Sequence, residues 1–123
     1  MSSHVFVVDD DPAVGRLASL VLRLEGYEVA TFTEATAALE EVIDPDAPNP
    51  VAIILDLSMP EMDGREFFQR AKSAGFGGPV IIVSAYGAEA AKRELGAEAA
   101  LGKPFEPEAL ASKVHELIGP PRH

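Results

Sequence analysis

Three apolar runs of strand-like composition each end on a residue suited to phosphoryl chemistry. Val5-Phe6-Val7-Val8 meets Asp9-Asp10-Asp11, Ala52-Ile53-Ile54-Leu55 meets Asp56, and Ala100-Leu101-Gly102 meets Lys103-Pro104. Carboxylates gathered at one edge raise each other's pKa or recruit a cation. A divalent metal and an incoming phosphoryl group would relieve that repulsion. Mg²⁺ takes oxygen ligands in an octahedron and keeps several waters, so two carboxylates, a backbone carbonyl and a phosphate oxygen suffice. Asp10 and Asp56 are the first choices, the Ser58 carbonyl is a third, and Asp9 would act through a metal-bound water or as a hydrogen-bond acceptor. Asp56, alone at the end of its run, is the best-placed nucleophile for forming an acyl phosphate. Lys103 offers a mobile point charge with three donors to a phosphate oxygen. Ser84, which ends the run Val80-Ile81-Ile82-Val83, offers a hydroxyl to the same group. Taken singly, a strand-end serine is commonly a turn residue and a lone lysine a solvated one, so the case rests on their joint placement.

Elements that would bring these residues together follow from period and punctuation. Residues 4–9 form a short apolar run, after which Leu17, Leu20, Val21 and Leu24 recur at helical spacing. Asp11 and Pro12 read as an N-cap with proline at the first helical position, and Gly26 as the stop. A second strand is expected at 27–31 and a second helix at 34–43, with Ala35, Ala38, Leu39 and Val42 on one face. The prolines of segment 44–50 disfavour helix at the residues before them, which makes it a loop. Val51 to Leu55 suits a strand covered on both faces. A third helix at 65–74, a strand at 80–83, a short fourth helix at 88–95, a strand at 98–102 and a last helix at 106–118 complete the chain. Leu110, Val114 and Leu117 lie at core spacing in that last helix. Alternating strands and helices imply an α/β fold, a parallel sheet covered on both faces and joined by right-handed crossovers. Sites in such sheets lie beyond the carboxyl ends of the strands, which is where the acids fall.

Composition narrows the class. The 123 residues suit one domain, expected over 1–119, with 120–123 as a tail or linker stub. A formal charge of −10 opposes attraction to a phosphate backbone, so direct nucleic-acid binding is not expected. No run is long enough to span a bilayer, and the start lacks a signal-peptide layout. The absence of cysteine removes thiolate metal sites and disulfides, and together these features lead to an expectation of a cytoplasmic protein. His4, His115 and His123 show no ligand spacing, and Phe67, Phe68, Phe76 and Phe105 read as packing residues.

The run Val7-Val8-Asp9-Asp10-Asp11-Pro12, the segment from Leu55-Asp56 to Asp63-Gly64, Val83-Ser84-Ala85 and Lys103-Pro104-Phe105 together resemble the receiver domain of bacterial two-component response regulators. The resemblance spans essentially the whole chain. It implies a flavodoxin-like sheet of order 2-1-3-4-5 with five helices. It makes Asp56 the phosphorylated residue, Asp9 and Asp10 the acidic pair serving Mg²⁺ (for which Mn²⁺ could substitute), Ser84 the switch hydroxyl and Lys103 the phosphate-pairing lysine. It further implies a cis Lys103-Pro104 bond, a tight turn at Gly64, and a loop shaped by Met59-Pro60. A sensor histidine kinase or phosphotransfer protein would be the donor, and a protein the downstream target. The domain would be no enzyme beyond assisting its own phosphorylation and dephosphorylation. Ser58 and Tyr86 occupy positions flanking the acyl phosphate, where a bulky Tyr86 would restrict the attacking water.

The chain departs from that pattern in two places. Receivers usually carry Tyr or Phe three residues before the Lys-Pro pair, where this chain has Ala100, so signalling is expected to run through the backbone after Ser84. The interval from Ser84 to Lys103 is shorter than the family norm by about three residues, roughly one helical turn. Because the fourth helix, fifth strand and fifth helix form the common dimer face in receivers, the expected state is a monomer or a weak, phosphorylation-dependent dimer. Two other readings compete: a haloacid-dehalogenase-like phosphatase using Asp9 as nucleophile, since Asp9-Asp10-Asp11 contains an Asp-x-Asp, and a binding module indifferent to phosphorylation.

Overall fold

In the computed structural model, residues 4–47, 49–59 and 62–120 are described. Expectations for Met1–Ser3, Pro48, Pro60, Glu61, the tail residues Pro121 and Arg122, and His123 lie outside that set. Ten elements alternate: β1 (His4–Val8), α1 (Pro12–Leu24), β2 (Glu28–Phe32), α2 (Ala35–Ile43), β3 (Ala52–Asp56), α3 (Gly64–Ser73), β4 (Val80–Ser84), α4 (Ala88–Leu95), β5 (Ala99–Gly102) and α5 (Pro107–Ile118). The strands are all parallel, in the order β2-β1-β3-β4-β5. This is the flavodoxin-like arrangement, and α4 is short at eight residues. Boundaries move from the expected ones by a residue or so, within the usual fraying of element ends.

Strand side chains alternate between faces, and the alternation divides the core in two. Phe6, Val8, Ile53, Leu55, Val80, Ile82 and Ala100 belong to one apolar cluster, which they share with residues of α2, α3 and α4. Val5, Val7, Ala52, Ile54, Ile81, Val83 and Ala99 belong to the other, with α1 and α5. Every residue of β3 and of β4 is buried, as a strand covered on both faces requires. Phe67, fully buried, anchors α3.

Two helices carry the caps that start them beside the strand ends. The Asp11 carboxylate accepts a hydrogen bond from the Ala13 amide at 2.9 Å, and Pro12 follows at the first helical position. Asp63 does the same for α3 through the Glu66 amide at 2.9 Å. α2 buries the expected Ala35, Ala38, Leu39 and Val42.

α1 departs from its expected face. It buries Gly15, Ala18 and Leu22, while Leu17, Leu20 and Leu24 are 40%, 57% and 77% exposed. This face packs against β2, where a Cβ at Gly15 would meet Thr31 at an ordinary contact distance of 3.9 Å. The inward face is thus Gly15, Ala18 and Leu22, and the stripe of Leu17, Leu20 and Leu24 is left facing solvent.

Candidate functional site

Strand parity places the charged residues. Asp9 continues the alternation of Val5 and Val7, Asp56 that of Ala52 and Ile54, and Lys103 that of Ala99 and Leu101, so all three fall on the α1/α5 side of the strand ends. Their contacts follow from this placement. Lys103 Nζ lies 2.8 Å from Asp9 Oδ2 and 3.3 Å from Asp56 Oδ1, bridging two buried carboxylates. The second oxygen of Asp9, Oδ1, accepts the Asp11 amide at 2.9 Å. Asp56 Oδ1 also accepts the Ser58 amide at 3.3 Å. Among the described residues, the hydrogen-bond and ion-pair contacts of Asp56 fall on Oδ1, which leaves Oδ2 for a reacting atom.

Electrostatics at the site are unbalanced. Burial pushes the Asp56 carboxyl up to about 6 and the Asp9 charge adds to the rise, with Lys103 and the Ser58 amide opposing it. Burial by itself would pull the Lys103 ammonium down, but its contacts with Asp9 and Asp56 outweigh this and hold it above its ordinary value. Asp9, Asp10 and Asp56 can each direct an oxygen so that the three atoms lie within 4.8 Å of one another, with Asp10 exposed. An all-oxygen donor set of this charge and spacing fits Mg²⁺ or a similar hard cation.

The loop beyond β3 is built to keep Asp56 in place. Gly64 donates its amide to the Leu57 carbonyl at 3.0 Å. A Cβ there would fall 2.5 Å from the Asp56 carbonyl oxygen and 2.7 Å from Leu57 Cα, so only glycine permits the first turn of α3 to press against Asp56. The Lys103-Pro104 bond is cis, as expected.

Ser84 stands apart. Its parity is that of Val80 and Ile82, the α2/α3/α4 side. The hydroxyl donates to the Tyr86 carbonyl at 2.8 Å and accepts the Tyr86 amide at 3.3 Å, so in this state it serves its own loop. Tyr86 is 90% exposed, and Ala100 is buried in the apolar cluster. Ser58 is exposed beside Asp56. Two features escaped the sequence reading: the pairing of Lys103 with Asp9, which strand parity could have revealed, and an ion pair between Arg65 of α3 and Glu94 of α4, for which the sequence carries no signal.

The family model of the response regulator receiver domain matches residues 5–115. The chain belongs to that family. This receiver domain is 34% identical over 121 residues to the response regulator MprA of Mycobacterium ulcerans, covering 96% of the chain and 51% of MprA. It is 33% identical to the transcriptional regulatory protein GlrR of Escherichia coli, covering 94% of the chain and 26% of GlrR. The chain spans about half the length of MprA and less of GlrR. Among solved structures, it resembles a response regulator receiver protein from Burkholderia phymatum with a TM-score of 0.84 and 32% identity, covering 96% of each chain. The chemotaxis response regulator CheY4 of Vibrio cholerae superposes with a TM-score of 0.81 and 30% identity, covering 95% of this chain and 99% of that one. Among the described residues, no helix is long and apolar enough to cross a membrane.

Proposed function

We propose that this receiver domain accepts a phosphoryl group on Asp56 from a phosphohistidine of a sensor histidine kinase or phosphotransfer protein, and passes the resulting change of state to a protein target in the cytoplasm. The observation that carries the reading is the pair of hydrogen-bonding and ionic contacts converging on Asp56 Oδ1, from Lys103 and the Ser58 amide. They orient the carboxylate and leave Oδ2 to attack. In the transfer, Oδ2 forms a bond to phosphorus while the bond from phosphorus to the donor imidazole nitrogen breaks; the nitrogen keeps the electron pair, and the ring, already protonated on its other nitrogen, leaves as neutral imidazole. Lys103 supplies an ammonium to the phosphoryl oxygens and Asp9 holds that ammonium in place. Asp9, Asp10, Asp56 and the Ser58 backbone carbonyl would hold Mg²⁺, or Mn²⁺ in its stead. When bound, the cation supplies the positive charge that lets an anionic carboxylate approach an anionic phosphoryl group. Ser84 would donate its hydroxyl to the group once attached, while Ser58 and Tyr86 would tune the access of hydrolytic water.

A protein donor is supported by the leucines of α1. The helix starts at Asp11, beside the acids, and carries Leu17, Leu20 and Leu24 outward along one exposed stripe, a surface suited to an apolar helical face of the donor.

The test is incubation with acetyl phosphate and Mg²⁺, followed by intact mass and peptide mapping of wild type and Asp56→Asn. A phosphoryl adduct on Asp56 that is absent from the variant is the expected result. An adduct on Asp9 would favour the phosphatase chemistry instead, and its absence everywhere would overturn acceptor function.

A further inference from the structure

The ends of α2 and α3 farthest from Asp56 enclose a groove that the phosphoryl site does not use. Both helices run back to the starts of β3 and β4, so their C-termini lie at the edge of the sheet opposite the one where Asp56 ends β3. A depression of about 470 Å³ between the helices is bordered by Leu39, Ile43, Arg70 and Ala74. A second, of about 400 Å³, lies past the helix ends against Asp44, Phe76 and Gly78, and Ile43 and Ala74 line both, so the two are continuous. Ile43 is 52% exposed where they meet, whereas the other apolar anchors of α2 are buried. The walls are set before anything binds. Lys72 Nζ sits 5.5 Å from the ring centroids of both Phe68 and Phe76 and donates to the Gly78 carbonyl at 3.4 Å. A Cβ at Gly78 would fall 2.8 Å from the Phe76 ring, and across the groove the Asp44 carboxylate accepts the Asp46 amide at 2.8 Å.

Charge makes the groove one-sided. No lysine or arginine lies between Arg23 and Arg65, so the last turn of α2 carries Glu40 and Glu41 without a basic residue, and Asp44 and Asp46 follow. Carboxylates at a helix C-terminus oppose its macrodipole, so this end of α2 gains from a cation brought to it. The cations of α3 beside the groove are engaged elsewhere: Arg70 pairs with Glu66 at 2.7 Å and Lys72 is held between its rings. A second copy of this chain would bring the same acidic end and a net charge of −10. We propose that the α2/α3 groove docks a basic amphipathic helix of a partner protein, which sets an apolar side chain against Ile43 and directs Lys or Arg toward Glu40 and Asp44. Grooves of this kind take a helix through apolar anchors one turn apart. Because the groove and Asp56 lie at opposite edges of the sheet, this partner stays bound while the strand ends at Asp56 are occupied.

The probe is a capped peptide of roughly 14 residues, four helical turns, with leucine on one face and lysine on the other. Titrated into ¹⁵N-labelled protein, it is expected to shift the amides of residues 39–44 and 69–78 saturably, while the same pattern built from leucine and glutamate does not. Ile43→Ser should raise the dissociation constant about tenfold, as loss of a buried isoleucine does. Glu40→Gln with Asp44→Asn, which keeps side-chain size and the Asp46 contact, should weaken binding and flatten its dependence on salt. Leu20→Ser, on the stripe of α1, should leave binding unchanged. Shifts centred on Leu17, Leu20 and Leu24, an affinity indifferent to Ile43→Ser, equal binding of the glutamate peptide, or no saturable binding would each overturn the proposal. So would shifts of the groove amides that grow with protein concentration in the absence of peptide, which would assign the groove to a second copy.

Discussion

Replacing Asp56, the proposed phospho-acceptor, should stabilise the metal-free domain. Asp56 is ionised at neutral pH in a buried position beside Asp9, and its pKa is about 6 against an ordinary 3.8. At about 1.4 kcal/mol per pKa unit the difference corresponds to roughly 3 kcal/mol. The folded state binds this proton more tightly than the unfolded chain does. The stability it contributes is therefore full below pH 3.8 and is lost as pH rises through about 6. Asp56→Asn removes that loss while keeping the size of the side chain. Urea unfolding in EDTA, run on both proteins from about pH 4 to about pH 8, should give a difference in stability close to zero at the acid end. It should grow to about 3 kcal/mol in favour of the variant above pH 7, an increase of roughly 10 °C in Tm for a chain of this length. Set against a total of about 5–15 kcal/mol for a typical domain, the effect is large. A difference that stays flat with pH, or a variant no more stable than wild type at pH 8, would refute the view of Asp56 as an acid kept under strain by burial and by Asp9.

Three further outcomes are expected. Leu20→Asp, on the exposed stripe of α1, should slow phosphoryl transfer from a partner kinase or phosphotransfer protein at least tenfold. It should leave labelling by acetyl phosphate unchanged and stability within about 0.5 kcal/mol, as surface substitutions usually do; equal rates from both donors in wild type and variant would remove α1 from donor docking. Gly64→Ala forces a methyl group into the Asp56 carbonyl, so it should cost about 1–3 kcal/mol by denaturant unfolding and slow labelling of Asp56. Phe67→Ala empties the fully buried anchor of α3 and should cost about 3–5 kcal/mol in the same measurement.

Much of this was legible in the sequence because period and punctuation agreed. The alternation of elements, the caps at Asp11 and Pro12, the buried face of α2 and the short α4 all follow from local residue choice. The acids and Lys103 could be assigned to strand ends from the runs that precede them, and parity then sends Asp9, Asp56 and Lys103 to one side. The inward face of α1 could not be read this way. Helical spacing picks out the run of leucines, whereas the face that turns inward, Gly15, Ala18 and Leu22, is set by how the helix docks on the sheet, a property of the assembled fold. The Ser84 hydroxyl was assigned to an incoming phosphoryl group from chemistry alone, but before that group arrives it satisfies the nearest backbone groups, those of Tyr86.

The bridge made by Lys103 joins residues from the first and last thirds of the chain through the end of a central strand. Asp9 and Asp56 are brought together by the pairing of β1 with β3 alone, but Lys103 reaches them only when β3, β4 and β5 have also paired in register. The complete bridge is therefore present only once the four strands β1, β3, β4 and β5 have assembled. A nascent, truncated or locally unzipped chain that lacks β5 has the acids but not the ammonium that bridges them.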